Sequence, residues 1–220
     1  PVAPLPSDVL IIESTYGNRS HEKTDPLDIL EDIINRAVLH QGTIIIPAFA
    51  VGRAQLILDF IYQLKKAARI GNIPVYMDSP MAAAATKIFL NYTNEHRLSK
   101  QTSIEVCKTA HYTATVMDSK ALDQMDQAKI IISASGMATG GRVLHHLKAY
   151  LPDKKNIVIF AGFQAAGTRG DRLVRGEKQI KIHGQMISVN AEIIQLNNLS
   201  AHCDAEEMML WLKKLPKPPR

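Results

Sequence analysis

Lys129-Ile130-Ile131-Ile132-Ser133-Ala134-Ser135-Gly136-Met137-Ala138-Thr139-Gly140-Gly141-Arg142 is the stretch on which the fold turns. A β-branched run of strand length gives way to small and polar residues, and a helix is expected from Arg142 to Tyr150. A strand that is apolar without alternation belongs in a parallel sheet covered on both faces. The same order recurs on either side. Thr43 to Pro47 leads to a helix with Ile57, Phe60, Ile61 and Leu64 on its inner face, and Pro74 to Met77 leads to a small-residue helix from Pro80 to Asn91. Asn156 to Ala161 leads through Gly162-Phe163-Gln164-Ala165-Ala166-Gly167-Thr168-Arg169-Gly170 to a short helix. Upstream, Asp25 and Pro26 open a helix striped by Leu27, Leu30, Ile34, Ala37 and Val38 and stopped by Gly42. Ser103 to Cys107 is expected as a strand, and Ala114 to Met125 as a weaker helix. The fold class is therefore α/β, a Rossmann-like parallel sheet with helices on both faces.

Two segments break this rhythm. After Gly176, Gln179–His183 and Gln185–Val189 are expected as a hairpin around Gly184, with Ala191–Leu196 as a further strand of an antiparallel arm. At the other end Val9–Ile12 is expected as a buried strand, followed by a polar loop from Ser14 to Lys23. Both arms are assigned to a separate domain, so the expected organisation is 1–22, 23–178 and 179–220. The proline-rich ends, Pro1 to Pro6 and Leu215 to Arg220, are expected as the edges of a segment excised from a longer protein.

With 220 residues and 46% hydrophobic composition the chain can bury a substantial core. A net charge of +5 favours phosphate-bearing partners without demanding them. Cys107 and Cys203 are too few for a disulfide framework or a cysteine zinc cluster, which points to a reducing, cytoplasmic setting. No apolar run is long enough for a membrane span.

In an open parallel sheet, the loops leaving the carboxyl ends of the strands share one edge, where backbone amides and helix starts can hold anions. Candidate ligands on that edge are Arg53 after Ala48-Phe49-Ala50-Val51-Gly52, Ser79, Ser135 and Gly136, Arg142, Thr168 and Arg169. Hydroxyls donate to phosphate, glycines let it approach, and each guanidinium can fork two phosphate oxygens. The same glycines also serve tight strand-to-helix turns whatever binds there. No loop matches the Walker or dinucleotide pattern.

A second constellation joins the chain ends. Glu13 ends the Val9–Ile12 run, and His202 lies in Leu199-Ser200-Ala201-His202-Cys203-Asp204 before an amphipathic helix with Met208, Met209 and Leu212 inward. Each has an ordinary reading, Glu13 as a solvated carboxylate and His202 as a locally bonded ring, with Asp204 as the helix cap. Paired, the carboxylate fixes the imidazole tautomer and raises its proton affinity, so the ring can protonate a leaving oxygen. The histidines show no i,i+2 or i,i+4 pair, and adjacent His145 and His146 point to different sides of a helix, so the chain's own inventory does not build a two-metal site.

Taken in order, Glu13-Ser14-Thr15-Tyr16-Gly17, Pro47-Ala48-Phe49-Ala50-Val51-Gly52-Arg53-Ala54-Gln55, Ser133-Ala134-Ser135-Gly136-Met137, Gly162-Phe163-Gln164-Ala165-Ala166-Gly167-Thr168 and Leu199-Ser200-Ala201-His202 resemble the β-CASP branch of metallo-β-lactamase-fold ribonucleases, which includes the mRNA 3′-end-processing endonuclease. The resemblance runs from Asp8 to about Leu212. It implies a β-CASP module inserted into a metallo-β-lactamase domain, with a groove for single-stranded RNA. By resemblance Glu13 is the acidic motif, His202 the histidine motif that assists the leaving oxygen, and Ser200 a further phosphate contact. It implies two zinc ions in the full-length parent, whose ligands fall outside this segment; the segment itself is expected to hold no cofactor and to be inactive alone. Expected partners are single-stranded RNA and the rest of the metallo-β-lactamase domain, with self-association through exposed strand edges and no membrane. The competing classes are a module for one phosphorylated metabolite or nucleotide, and a non-catalytic assembly domain.

Overall fold

The computed structural model describes residues 2–215, so position 1 and the proline-rich tail from 216 on, which bear on the excised-segment expectation, lie outside the described residues. One compact unit is Asp25–Leu196, and the flanking segments on either side of it in the chain make up a second.

The larger unit opens with α1 (Pro26–Leu39). Asp25 starts it by accepting the Leu27 amide at 2.9 Å, Pro26 fits the first turn, and Leu30, Ile33, Ile34 and Ala37 form the buried stripe. Then follow β1 (Thr43–Pro47), α2 (Arg53–Lys66), β2 (Val75–Asp78), α3 (Pro80–Asn91) and α4 (Lys100–Lys108). After β3 (His111–Tyr112) come α5 (Val116–Leu122), β4 (Lys129–Ser133), α6 (Val143–Tyr150), β5 (Ile157–Ala161) and α7 (Arg169–Val174). The hairpin strands β6 (Gln179–Ile182) and β7 (Gln185–Ser188) and the last strand, β8 (Glu192–Leu196), complete the unit.

Six strands form one parallel sheet in the order β3-β2-β4-β1-β5-β8. β1 lies between β4 and β5, with Ile45 opposite both Ile131 and Val158. Those residues join Val143, Leu144, Leu147 and Leu173, and the hairpin's Ile180, Ile182 and Ile187, in one core. Strand alternation sends Ile44 and Ile46 to the opposite face, and both are buried as well. Central strands buried on two faces explain their unbroken apolar character.

Three expectations are corrected. Ser103–Cys107 is helical, part of α4, where Ser103, Val106 and Cys107 are buried on one stripe and Ser99 caps the start by accepting the Thr102 amide at 3.1 Å. A five-residue run with apolar Ile104, Val106 and Cys107 fits either state, and the serine cap with its tertiary packing decides for the helix. Val9–Ile12 is neither buried nor paired: it is irregular, with Val9 78% and Ile11 92% exposed. A strand exists only with a partner for its backbone groups, which a β-branched run does not supply by itself. Ala191–Leu196 does form a strand, but β8 pairs parallel with β5 rather than extending an antiparallel arm. The β6–β7 hairpin does form, antiparallel, around His183 and Gly184, whose φ values of +46° and +80° suit the two-residue turn that matches strand twist. It sits within the β5–β8 crossover. The compact unit accordingly reaches Leu196, past the boundary expected at 178.

In the smaller unit, Tyr16 makes an isolated parallel bridge with Asp204 and is buried. Asp204 starts α8 (Ala205–Leu212) through a capping box with Glu207. The Asn198 side chain donates to the Thr24 carbonyl at 2.7 Å, and the Trp211 indole donates to the Val2 carbonyl at 2.9 Å.

Candidate functional site

Glu13 and His202, from opposite ends of the chain, meet in the smaller unit: Nδ1 of His202 lies 3.3 Å from Oε2 of Glu13, with each side chain about half exposed. The turn is fixed around them. The His202 amide donates to Ser200 Oγ at 3.0 Å, its carbonyl accepts from His21 Nε2 at 2.9 Å, and the Tyr16 ring lies 5.7 Å from the imidazole. Glu13 also accepts the Thr15 amide at 3.1 Å. The hydrogen bonds from Thr15, with the neighbouring His202, hold its carboxyl below the usual carboxylate range. An ionised Glu13 at Nδ1 selects the tautomer with its proton there and leaves Nε2 for exchange.

The larger unit presents the loops that follow its parallel strands. Arg53 opens α2 behind Gly52, which has φ +79°, and its Nη2 reaches Gly162, coming within 3.7 Å of where a Cβ would stand. Gly136 lies under Phe49: a Cβ there would stand 3.0 Å from the Phe49 amide nitrogen and 3.1 Å from its ring. The remaining expected phosphate ligands have polar atoms committed internally. Ser79 is buried and accepts the Ala82 amide at 3.1 Å as the cap of α3. Ser135 Oγ accepts from the Thr139 amide at 3.1 Å, and Thr168 Oγ1 donates to the Ala165 carbonyl at 2.7 Å and caps α7. Arg169 Nε donates to the Lys181 carbonyl at 2.9 Å, tying α7 to the hairpin. Short strand-to-helix loops must satisfy their own backbone groups, and these side chains do it. Ser200 belongs to the smaller unit and bonds within its own turn.

Arg142 turns inward for a different reason. Its Nη1 donates to Asp78 Oδ1 at 2.7 Å, and Asp78 is fully buried at the end of β2. Asp78 also accepts from Thr113, from Ser119 at 2.5 Å and from His146 Nε2 at 2.7 Å, while His146 Nδ1 lies 2.7 Å from Asp123. Burial by itself would raise the Asp78 pKa, but bonds from His146, Ser119, Thr113 and Arg142 outweigh it and hold the carboxyl far below the usual range. Burial likewise lowers His146, and the two carboxylates outweigh it, leaving the ring a stronger base than usual. This network binds the loops after β2, β3 and β4 into one piece. Sequence reading missed it; the available signal was a carboxylate, Asp78, closing an otherwise apolar strand.

The family model described as Beta-Casp domain matches residues 54–173, more than half of the chain. The chain belongs to the Beta-Casp family. A second family model, described as Zn-dependent metallo-hydrolase RNA specificity domain, matches residues 186–219 of this β-CASP chain. Ribonuclease TTHA0252 of Thermus thermophilus is 32% identical over 231 residues, covering 99% of this chain and 52% of the relative. The RNase J-like protein of Methanocaldococcus jannaschii is 34% identical over 215 residues, covering 96% and 50%. Transcription termination factor FttA of Pyrococcus horikoshii is 32% identical over 231 residues, covering 97% and 35%. The chain thus spans about half the length of the first two relatives and about a third of the last. No described helix is long and apolar enough to cross a membrane.

Zinc, which the second family description implies, has no fitting ligand set among the described residues of the β-CASP chain. The grouping of three or more metal-ligating side chains found there is His21, Asp204 and Glu207, with ligand atoms within 4.8 Å of one another. Those atoms are already used. Asp204 accepts the His21 amide at 2.8 Å and the Glu207 amide at 2.9 Å, Glu207 accepts the Asp204 amide at 3.1 Å, and His21 Nε2 donates to the His202 carbonyl. They form a helix cap, not a metal centre.

Proposed function

We propose that this chain is the RNA-binding, substrate-selecting portion of a zinc-dependent β-CASP endoribonuclease, and that the Glu13–His202 pair handles a proton in the parent's phosphodiester cleavage. The observation that carries the reading is that pair, 3.3 Å apart and half exposed. Its neighbourhood supports the reading: the RNA specificity match begins at residue 186, and relatives bear the names ribonuclease, RNase J-like protein and transcription termination factor. Glu13 holds the imidazole by Nδ1, and Nε2 then donates a proton to the departing oxygen. RNA would cross the carboxyl edge of the larger unit, where Arg53 opens α2 and the internally bonded Ser79, Ser135, Arg142, Thr168 and Arg169 hold the loops in shape. Their commitment to caps and loop closures also disfavours a pocket for one phosphorylated metabolite, which needs those hydroxyls as donors.

The test is His202→Ala in the full-length protein. Cleavage is expected to fall by about 10²–10⁴-fold, the usual contribution of a general acid, with RNA affinity changed less than about threefold. Equal losses of rate and affinity would make His202 a binding or structural residue and sink the catalytic assignment.

A further inference from the structure

His202 is half exposed, and its contact with Glu13 at 3.3 Å joins it to a side chain that is half exposed as well. Contacts so open to water are weak. Glu13 alone therefore does not hold the imidazole in one orientation, and the backbone beneath the ring matters more.

That backbone is held on both sides. The His202 amide donates to Ser200 Oγ at 3.0 Å, and its carbonyl accepts from Nε2 of His21 at 2.9 Å. A bond to a carbonyl oxygen requires a proton on the ring nitrogen, so His21 carries its proton on Nε2, whereas Glu13 places the proton of His202 on Nδ1. The serine clamp is local, two residues away. The His21 clamp joins the turn to the arm that bears Glu13, so it governs how the two members of the pair face each other.

His21 is itself braced. Its amide donates to Asp204 Oδ2 at 2.8 Å, and its ring meets that of buried Tyr16 edge-on, with centroids 5.6 Å apart and planes at 71°. The same tyrosine ring lies 5.7 Å from the His202 imidazole, so one buried side chain supports both histidines. The Tyr16–Asp204 bridge and the Ala205 amide, which donates to the Arg19 carbonyl at 3.0 Å, hold the start of α8 to the arm. The bond from His21 Nε2 ends on residue 202 itself.

We propose that His21 is a positioning residue for the cleavage step: by clamping the His202 carbonyl it sets the imidazole against Glu13 and aims Nε2 of His202 at the leaving oxygen. This rests on the catalytic reading of the Glu13–His202 pair above. In this assignment His21 moves no proton and acts through His202 alone. A misplacement of about 1 Å can cost about 10²-fold in rate, so one clamp has large leverage. The competing role is a staple that only steadies the two chain ends, and its loss would lower stability while folded molecules kept their rate.

The experiment is single-turnover cleavage of a labelled single-stranded RNA by the full-length protein, with RNA affinity and thermal unfolding measured alongside. The variants are His21→Leu, His21→Asn, His21→Gln, His202→Ala and His21→Asn combined with His202→Ala. Leucine has no donor, the asparagine amide stops short of the Nε2 position, and the glutamine amide reaches it. His21→Leu and His21→Asn are each expected to lower the rate about 10²-fold, with RNA affinity changed less than about threefold, at a temperature where the unfolding curve shows the variant folded. His21→Gln recovers most of that rate. In the His202→Ala background His21→Asn causes no further loss, because residues that act as one unit are not additive. A parental rate in His21→Asn, a glutamine variant no faster than the asparagine one, or an equal loss with and without His202 would each overturn the assignment while the pair stands. A parental rate in His202→Ala would remove the catalytic reading itself, and this inference with it.

Discussion

At position 78 a carboxylate with no exposed surface accepts from Thr113, Ser119, Arg142 and His146, and His146 in turn faces Asp123. With carboxylates at 2.7 Å from both ring nitrogens, the imidazole donates from each, so it is held as a cation. Two carboxylates then balance an imidazolium and a guanidinium. Removing one partner leaves the others buried and unpaired, so Asp78→Asn and His146→Gln are each expected to cost about 3–5 kcal/mol of stability, measured by urea unfolding. The pH profile separates the two groups. His146 is raised above its unfolded value of about 6.5, so its contribution is complete below that pH and is lost as pH rises through the folded pKa. Asp78 is depressed, so its contribution is complete above about pH 5 and fades as pH falls towards its folded pKa. The wild type is therefore expected to lose stability on the alkaline side, a limb that His146→Gln flattens. An unchanged limb in that variant would assign the alkaline loss to other groups. The strand-end Asp78 was visible in the sequence, but its partners come from α5, α6 and its cap residue Arg142, and the β3–α5 loop, and only packing assembles them.

Among elements, the helix starts were the most legible, because capping is local chemistry. Asp25-Pro26, Ser79-Pro80 and Asp204 each sit where the structure places a cap. Asp204 does more than begin α8, since its other oxygen accepts the His21 amide. Asp204→Ala is expected to cost about 1–2 kcal/mol, at the upper end for a cap, and to loosen the turn that positions His202. Denaturant unfolding with histidine NMR checks both; a stability loss with the His202 signals unmoved would confine Asp204 to the helix. Strands were legible where burial on both faces forced long apolar runs, as in β1, β4 and β5. Ser103–Cys107 and Val9–Ile12 went the other way, because a segment of four or five residues takes its state from what packs or pairs with it. The direction of β8 was equally non-local, being decided by its pairing with β5 across the inserted hairpin.

For the whole molecule, limited proteolysis with mass spectrometry is expected to yield a resistant core near Asp25–Leu196, since the hairpin and β8 are packed into the larger unit. A stable fragment ending near 178 would contradict that packing. The alternation of apolar runs with glycine-bearing loops and capped amphipathic helices dictated by itself a parallel α/β sheet, because each signal is short-range and repeated. Sequence also singled out Glu13 and His202 by their residue types and flanking motifs, and their approach to 3.3 Å is consistent with that reading. Tertiary structure alone decided which polar side chains on the sheet's carboxyl edge face outward. Arg142, Ser79 and Thr168 looked like phosphate ligands in one dimension, yet loop closure and a buried carboxylate claim them, while Phe49 and Phe163 are left at the surface. The reason is that a loop's hydrogen-bond demand depends on which backbone groups and charges the fold brings beside it, and that neighbourhood is set by strand order, not by adjacency in the chain.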